Sequence, residues 1–372
     1  MVKILIANAT IVTLSKKHDL IINGGYVFIS DGVIKAVGSG EVPEELQYPE
    51  LLISGRGRLV IPGVSSGYTK VTTYPLRHVL PFLTKERVYE YLSTLSRSDV
   101  YYSAVLAFTD MLYRGVTSSM VSDIYLDDIA RAANDVGIPV VLASPINIGL
   151  RDYDPYHELK LIMQRWHGRV ENIYGGVTVY GDLKEVDLDE FQDVKVFVVG
   201  ANDLERLKEL DRSKIVVVDP PKEPPEGLNV IRTYNTLSMW RPFQGFGVGD
   251  NITYDIFDML RFLLRSGHSS LDLLFSATSS TSTMIGLDGM NCIEEGKKAN
   301  IIIYNFSEPP AWPLIPSVEA ITNAVVGGQL RVESVIVGDN VLVDGGEVLS
   351  VGSDLIKKAT ARLEGMIRSF IK

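Results

Sequence analysis

The sequence predicts an α/β protein, with an eight-stranded (β/α) barrel in the middle of the chain and a small β domain built from its two ends. Eight short, near-continuous apolar runs lie between residues 58 and 290, and most alternate with helix-like segments, the pattern of parallel strands covered by helices. Both ends read differently, as alternating strands punctuated by Gly- and Asp-rich turns. A chain of 372 residues also exceeds one ordinary small core, so a large unit with a smaller one is the natural division.

Residues 1–57 supply ILIANATIVTL, YVFISDGVIKAVGSG and LLISGRG. Ser30-Asp31-Gly32 separates two alternating runs and predicts a hairpin turn. The opening MVKILIANATIVTL alternates, is too short to cross a bilayer and lacks a small-residue cleavage site, so it reads as a strand rather than a signal peptide. The barrel, residues 58–290, takes its strands from LVIPGVSS, GVTSSMVSD, IPVVLAS, GGVTVYG, VKVFVVG, KIVVVD, LNVIRTY and FGVGD. Among its helices, LDDIARAANDVG has Asp127 near its start and Gly137 past its end. The later units are abbreviated: PPKEPPEG is too short and Pro-rich for a crossover helix, and TLSMWRPFQ is again short. A doubly wound open sheet is the alternative, but no Gly-rich nucleotide turn follows the early strands. Residues 291–352 return to hairpin texture in ANIIIYNF and VESVIVGDNVLVDGGEVLSVG. Neither end closes a core alone, so residues 1–57 and 291–352 are expected to form one domain. Residues 353–372 begin with a Ser353 cap and repeat Leu355, Ala359, Leu363, Met366 and Phe370 at helical spacing, a helix expected to pack on the barrel.

Apolar residues make up 46% and charged residues 22%, as in ordinary globular proteins. A net charge of -10 with no concentrated basic face argues against a nucleic-acid surface. The single cysteine, Cys292, excludes an intrachain disulfide and a thiolate metal cluster, and a reducing, cytoplasmic location is the default expectation. The modest positive face of the last helix speaks against a membrane role.

Working residues of such barrels lie where strands end and loops begin. Those positions hold Tyr68, Lys70, Asp123, Asn147, Gly181 with Asp182, Gly200, Asp219, Tyr234 with Asn235, and Gly249 with Asp250. The pocket candidates are Tyr68, Lys70, Asp123, Asp182, Asp219, Asn235 and Asp250: carboxylates and a lysine, without a histidine. HELKL at 157–161 begins like a zinc-protease helix, but Leu161 sits where the second histidine belongs.

Five stretches go further. GRGRLVIPGVSSGYTKVTTYPLRHVL leads into the first barrel strand, LYRGVTSSMVSD and GDNITYDIFDMLRFL follow, and ATSSTSTMIGLDGMNCIEEGKKANIIIYNF with IVGDNVLVDGG closes the chain. Together they resemble the amidohydrolase superfamily, in its branch of cytosine deaminases and N-ethylammeline (triazine) chlorohydrolases, over essentially the whole chain. Asn300 stands at the last position of that family's Gly-Lys-x-Ala-Asp strand. The resemblance implies a distorted (β/α)8 TIM-like barrel with a β-sandwich composed of both termini, a hydrolase acting on C–N bonds other than peptide bonds, and a homodimer.

It also implies one divalent metal, such as zinc or iron. In the family two histidines of the first strand, one histidine from each of two later strands and an aspartate of the eighth hold that metal, which makes hydroxide from water. In this chain Tyr68 and Lys70 stand at the paired positions, VKVFVVG offers valines, KIVVVD ends in Asp219, and Gly249 takes the aspartate position one residue before Asp250. His18, His78, His157, His167 and His268 all fall elsewhere. A lysine ammonium, with a reference pKa of about 10.4, has no lone pair and repels a dication. A phenol must likewise lose a proton before it binds well. No metal cofactor is therefore expected. The first reading is a degenerate amidohydrolase-like protein, without metal catalysis, that serves as a small-molecule binder or subunit. An active hydrolase or deaminase with a rearranged site around Lys70, Asp219 and Asp250 is the second, and a structural protein with a filled pocket the third. Lys70 is expected within ion-pair reach of Asp219 or Asp250, either as an ordinary salt bridge or in place of the metal's charge. Tyr68 is expected to fill the vacated space.

Overall fold

The computed structural model describes residues 2–371 except 152, 182, 184–185, 192, 206, 208–210, 240–243 and 250. The N-terminal strands β1 (Lys3–Val12) and β2 (Ile21–Ser30) pair antiparallel. The chain then turns into β3 (Val33–Ser39) through Asp31 and Gly32, whose positive φ values of 54° and 71° give the twist that a two-residue hairpin needs. Two further strands, β4 (Leu51–Ser54) and β5 (Arg58–Pro62), run parallel to β1 along one edge.

The barrel begins after Gly63. Its strands are β6 (Val64–Thr69), β7 (Val116–Ser122), β8 (Val140–Ile146), β9 (Ile173–Tyr180), β10 (Lys195–Val199), β11 (Ile215–Val218), β12 (Asn229–Arg232) and β13 (Gly245–Phe246). They are parallel neighbours in that order, and a bridge between Thr69 and Gly249 brings the ends together. The run LVIPGVSS, read above as one barrel strand, is thus divided. Its first half pairs antiparallel with β14 (Asn300–Asn305) of the terminal sheet, matching Leu59 with Tyr304. Gly63 makes the hand-over possible, because a Cβ there would run into Thr117 Oγ1 and Asn300 Oδ1.

β14 is followed by β15 (Val332–Val337), β16 (Asn340–Asp344) and β17 (Glu347–Val348), so strands from both ends of the chain share one mixed sheet ordered β17-β16-β15-β14-β5-β1-β2-β3. The sheet curls until Val33 bridges Lys298, beside β14. Its inner face then packs on itself as a sandwich does, through Ile4, Ile6, Val27, Ile29, Ile301 and Ile303.

Helices α1 (Lys85–Thr94), α2 (Arg97–Tyr113), α3 (Leu126–Val136) and α4 (Pro155–Arg165) serve the first half of the barrel. α3 ends at Gly137, whose φ of 84° is the left-handed stop its sequence predicts. Between β9 and β13 the described residues contain short 3-10 turns and no α-helix, in keeping with the Pro-rich connections. The barrel is completed by α5 (Ile256–Arg265), α6 (Ser270–Phe275) and α7 (Thr281–Met284), with a π-helical turn over Ser276–Ser280. Thr281 Oγ1 accepts the Phe246 amide at 3.0 Å and so props the short β13. α8 (Val318–Gly327) lies against α5 and α6, and α9 (Ser353–Ile371) against α2, where Arg362 pairs with Asp99 at 2.7 Å. None of the described helices is long and apolar enough to cross a membrane.

Candidate functional site at the barrel mouth

A repeated local conformation opens the mouth. Asn147, Gly181, Gly200 and Asp219 each follow directly on β8, β9, β10 and β11, all with positive φ (66°, 72°, 64° and 48°). Glycine, Asn and Asp are the residues that tolerate this left-handed region. Gly181, Gly200 and Asp219 each donate their N–H to the neighbouring strand, at Val199, Val218 and Ile231. A left-handed residue thereby ends each of these four strands. Gly249 (φ 66°) closes the ring, donating to Tyr68 O at 2.8 Å and accepting from Lys70 N at 3.3 Å.

Above the strands lies a cavity of about 670 Å³. Tyr68 forms its floor, with its ring in the barrel interior beside Met120, Phe197 and Val218. The Tyr68 hydroxyl is 2.8 Å from the Tyr180 hydroxyl, which is 2.9 Å from Ser122 Oγ. The Lys70 ammonium sits 5.0 Å from the centroid of the Tyr180 ring, a cation–π contact. Asp123 is buried in the wall. One of its oxygens accepts the amides of Val71 and Thr72 at 2.8 and 2.9 Å, the other the Thr72 hydroxyl and the Ile124 amide at 2.6 and 3.0 Å. Its carboxylate fixes the loop that follows β6.

Asn147, Tyr234 and Asn235 also line the cavity. The Tyr234 hydroxyl donates to Asp258; burial, and then that carboxylate, pushes the phenol well above its usual range. Asp219 takes a different place from the one anticipated. Its carboxylate accepts from Thr233 N at 2.8 Å, from Thr236 Oγ1 at 2.5 Å and from the Thr233 hydroxyl, and it is absent from the cavity lining. The described residues include no ion pair between Lys70 and Asp219, whose carboxylate is taken up by Thr233 and Thr236 in the loop after β12. Asp182 and Asp250 lie outside the described residues.

Three lining features escaped the sequence reading. Tyr180 is the last residue of GGVTVYG, and only the Gly181 beside it was singled out. Lys85 stands at the rim with its ammonium 5.5 Å from the Tyr89 ring centroid. The apolar wall of Leu83, Val88 and Leu92 comes from α1 and the turn before it. Such a stripe reads in sequence like any core-facing helix.

The described residues at these positions do not by themselves fit a dication. The first-strand positions carry a hydrogen-bonded phenol and an ammonium, β10 ends in Val198 and Val199, Asp219 is turned onto threonines, and Gly249 has no side chain. Among the described residues no three His, Cys, Asp or Glu side chains are grouped to hold an ion. His18 pairs instead with Glu295 at 2.7 Å, and His167 Nδ1 accepts the Gly175 amide at 2.9 Å.

A closed barrel of parallel strands, joined to one sheet from both chain ends and open at the strands' C-terminal edge, is the class of fold that the structure defines. Comparison with known proteins narrows this. No family model matches the chain. A 5-methylthioadenosine/S-adenosylhomocysteine deaminase of Syntrophomonas wolfei is 27% identical over 176 residues, 45% of this chain and only 39% of that protein's length. A deaminase of the same name from Caldanaerobacter subterraneus is 21% identical over 431 residues, covering 96% of this chain and 98% of that one. Among solved structures, an adenosine deaminase from Xanthomonas campestris with bound zinc superposes with a TM-score of 0.83 at 16% identity, over 98% of both chains. Atrazine chlorohydrolase from Arthrobacter aurescens, complexed with zinc, gives 0.78 at 15% identity over 98% of this chain and 100% of that one. The resemblance is to the amidohydrolase superfamily, in its deaminase and chlorohydrolase-like branch.

Proposed function

We propose that this protein is an amidohydrolase-like binder of small molecules that works without the metal-dependent hydrolysis of the enzymes it resembles. The observation that carries this reading is the contact of Tyr68 with Tyr180 beneath Lys70. A hydroxyl chain and an ammonium occupy the first-strand positions from which the family grips its metal, while an open cavity of about 670 Å³ remains above them. That volume is in the ordinary range for a small-molecule site. The chain's own groups supply hydrogen bonds and one anchored cation there, and the fixed loop at Asp123 keeps them in place.

The test is elemental analysis of protein purified without chelator, together with deamination assays on 5-methylthioadenosine and S-adenosylhomocysteine. The expected result is zinc, iron and nickel far below one equivalent, with no turnover. One tightly held equivalent, lost in Asp219→Ala or Asp250→Ala, overturns the proposal and favours a rearranged hydrolase site.

A further inference from the structure

We propose that β4 of the terminal sheet docks a second copy of this chain. The two β4 strands pair antiparallel about a two-fold axis, with Glu50 of each copy opposite Arg56 of the other.

β4 is an open edge. Among the described residues it pairs only with β1, whereas the next strand, β5, is enclosed between β1 and β14. The Gly55 amide donates to Ala7 O of β1 at 2.6 Å. Main-chain groups along a strand point alternately to its two sides, so the odd-numbered residues of β4 face β1. Leu52 and Ser54 therefore turn their N–H and C=O groups outward. Side chains alternate between the two faces in the same way. Ile53 packs against the inner face of the sandwich, and Leu52 stands 64% exposed on the other, with Tyr48 85% exposed four residues before it. An unpaired strand edge that carries exposed apolar side chains is a template for another strand.

Charge chooses the occupant and the register. With the two-fold axis at Ile53, Leu52 of each copy faces Ser54 of the other, and their outward main-chain groups form the ladder. Glu50 then lies directly across from Arg56, twice over by symmetry. Arg56 is exposed and has no ion pair among the described residues. Glu50 gives Oε2 to the Lys3 amide at 2.7 Å, which leaves Oε1 to meet a guanidinium. Opposite charges facing each other across an antiparallel pair stabilise it. Moving the axis to Leu52 would set Glu50 against Ser54 and leave no carboxylate opposite Arg56. Residues 50–56 thus carry both halves of the match, which favours another copy of this chain over an unrelated peptide. Seven residues a side fall short of the roughly 20–30 of a standard interface, so the dimer should be weak and concentration-dependent.

Sedimentation equilibrium of the full chain over a wide range of concentration tests this. The parent should pass from monomer to dimer as concentration rises. Arg56→Glu and Glu50→Arg each set like charges across the ladder and should weaken the dimer about tenfold. The exchange variant Glu50→Arg/Arg56→Glu should return it to the parent level. Leu52→Pro removes an outward N–H without touching the bonds to β1, and should abolish the dimer. The charge variants, being on the surface, decide the matter should the proline variant fold poorly. A chain that stays monomeric throughout overturns the proposal, as does a dimer indifferent to the single charge reversals. Loss in the single variants without rescue by the exchange overturns the Glu50–Arg56 register. Oligomers that keep growing with concentration would mean an edge without two-fold closure and overturn it as well.

Discussion

The Tyr68 hydroxyl approaches the Tyr180 hydroxyl to 2.8 Å, and the Lys70 ammonium sits over the ring of that same Tyr180. One residue of β9 thus contacts both Tyr68 of β6 and Lys70 just past its end, the two positions at which the resemblance places paired histidines. Tyr68→Phe keeps the ring in the core and removes one hydrogen bond, so urea denaturation should show a loss of about 1 kcal/mol. Tyr68→Ala also empties the barrel interior and should cost about 3–5 kcal/mol. A loss for Phe as large as that for Ala would mean that the hydroxyl chain, rather than packing, holds this floor.

Restoring the two histidines should not restore a metal. In Tyr68→His/Lys70→His the first strand would offer two imidazoles, but β10 still ends in valines and Asp219 remains bound to Thr233 and Thr236. Two ligands fall short of the three or four that zinc sites use. Zinc titration of the double variant should show no stoichiometric binding; a stable one-to-one complex would disprove the account of β10 and β11.

Thr281 tests how the short β13 is held. Its hydroxyl oxygen accepts the buried Phe246 amide and donates to Ser276 O at 2.6 Å. Thr281→Val keeps the shape and removes the acceptor, at a cost of about 1–3 kcal/mol. Hydrogen exchange at the Phe246 amide should accelerate, and Thr281→Ser should be milder on both measures.

Glu158 gives a pH dependence of opposite sign to most carboxylates. It is buried, and its Oε2 accepts the Leu126 amide at 2.7 Å at the start of α3. Burial raises its pKa, against the lowering effect of that hydrogen bond. A carboxyl with a raised folded pKa favours folding while protonated. That contribution is complete below the unfolded value of about 4.3 and is lost as pH rises through the folded value. Glu158→Gln retains an acceptor without the charge, so its melting temperature should exceed that of the parent at pH 7, with the gap closing as pH falls towards 4. A less stable variant at pH 7 would show that the ionised group contributes more than its burial costs.

Much of the barrel is legible in sequence because strands buried on both faces leave unbroken apolar runs, as in KIVVVD and VKVFVVG. The hand-over at Gly63 is not, since LVIPGVSS stays apolar while its two halves join different sheets. Strand-end spacing located Tyr68, Lys70, Asp123 and Asn235, all of which line the cavity. Asp219 shows the limit of that rule. Its position is readable, but the direction of its side chain follows from a backbone φ of 48° and two threonines of the next loop. The α1 wall was hidden for another reason, because leucines that line a cavity and leucines that fill a core share one spacing.

The pairing of β5 with β14 has a consequence for how the molecule is made. β5 lies between β1 and β14, yet β14 leaves the ribosome only after the whole barrel has been synthesised. Until then Leu59, Val60 and Ile61 present a bare apolar strand edge, open to any other extended segment nearby. Contacts so distant along the chain form slowly. Nascent or truncated chains that stop before residue 300 should therefore be the species that aggregate, and slower translation at low temperature should raise the soluble yield of the full chain.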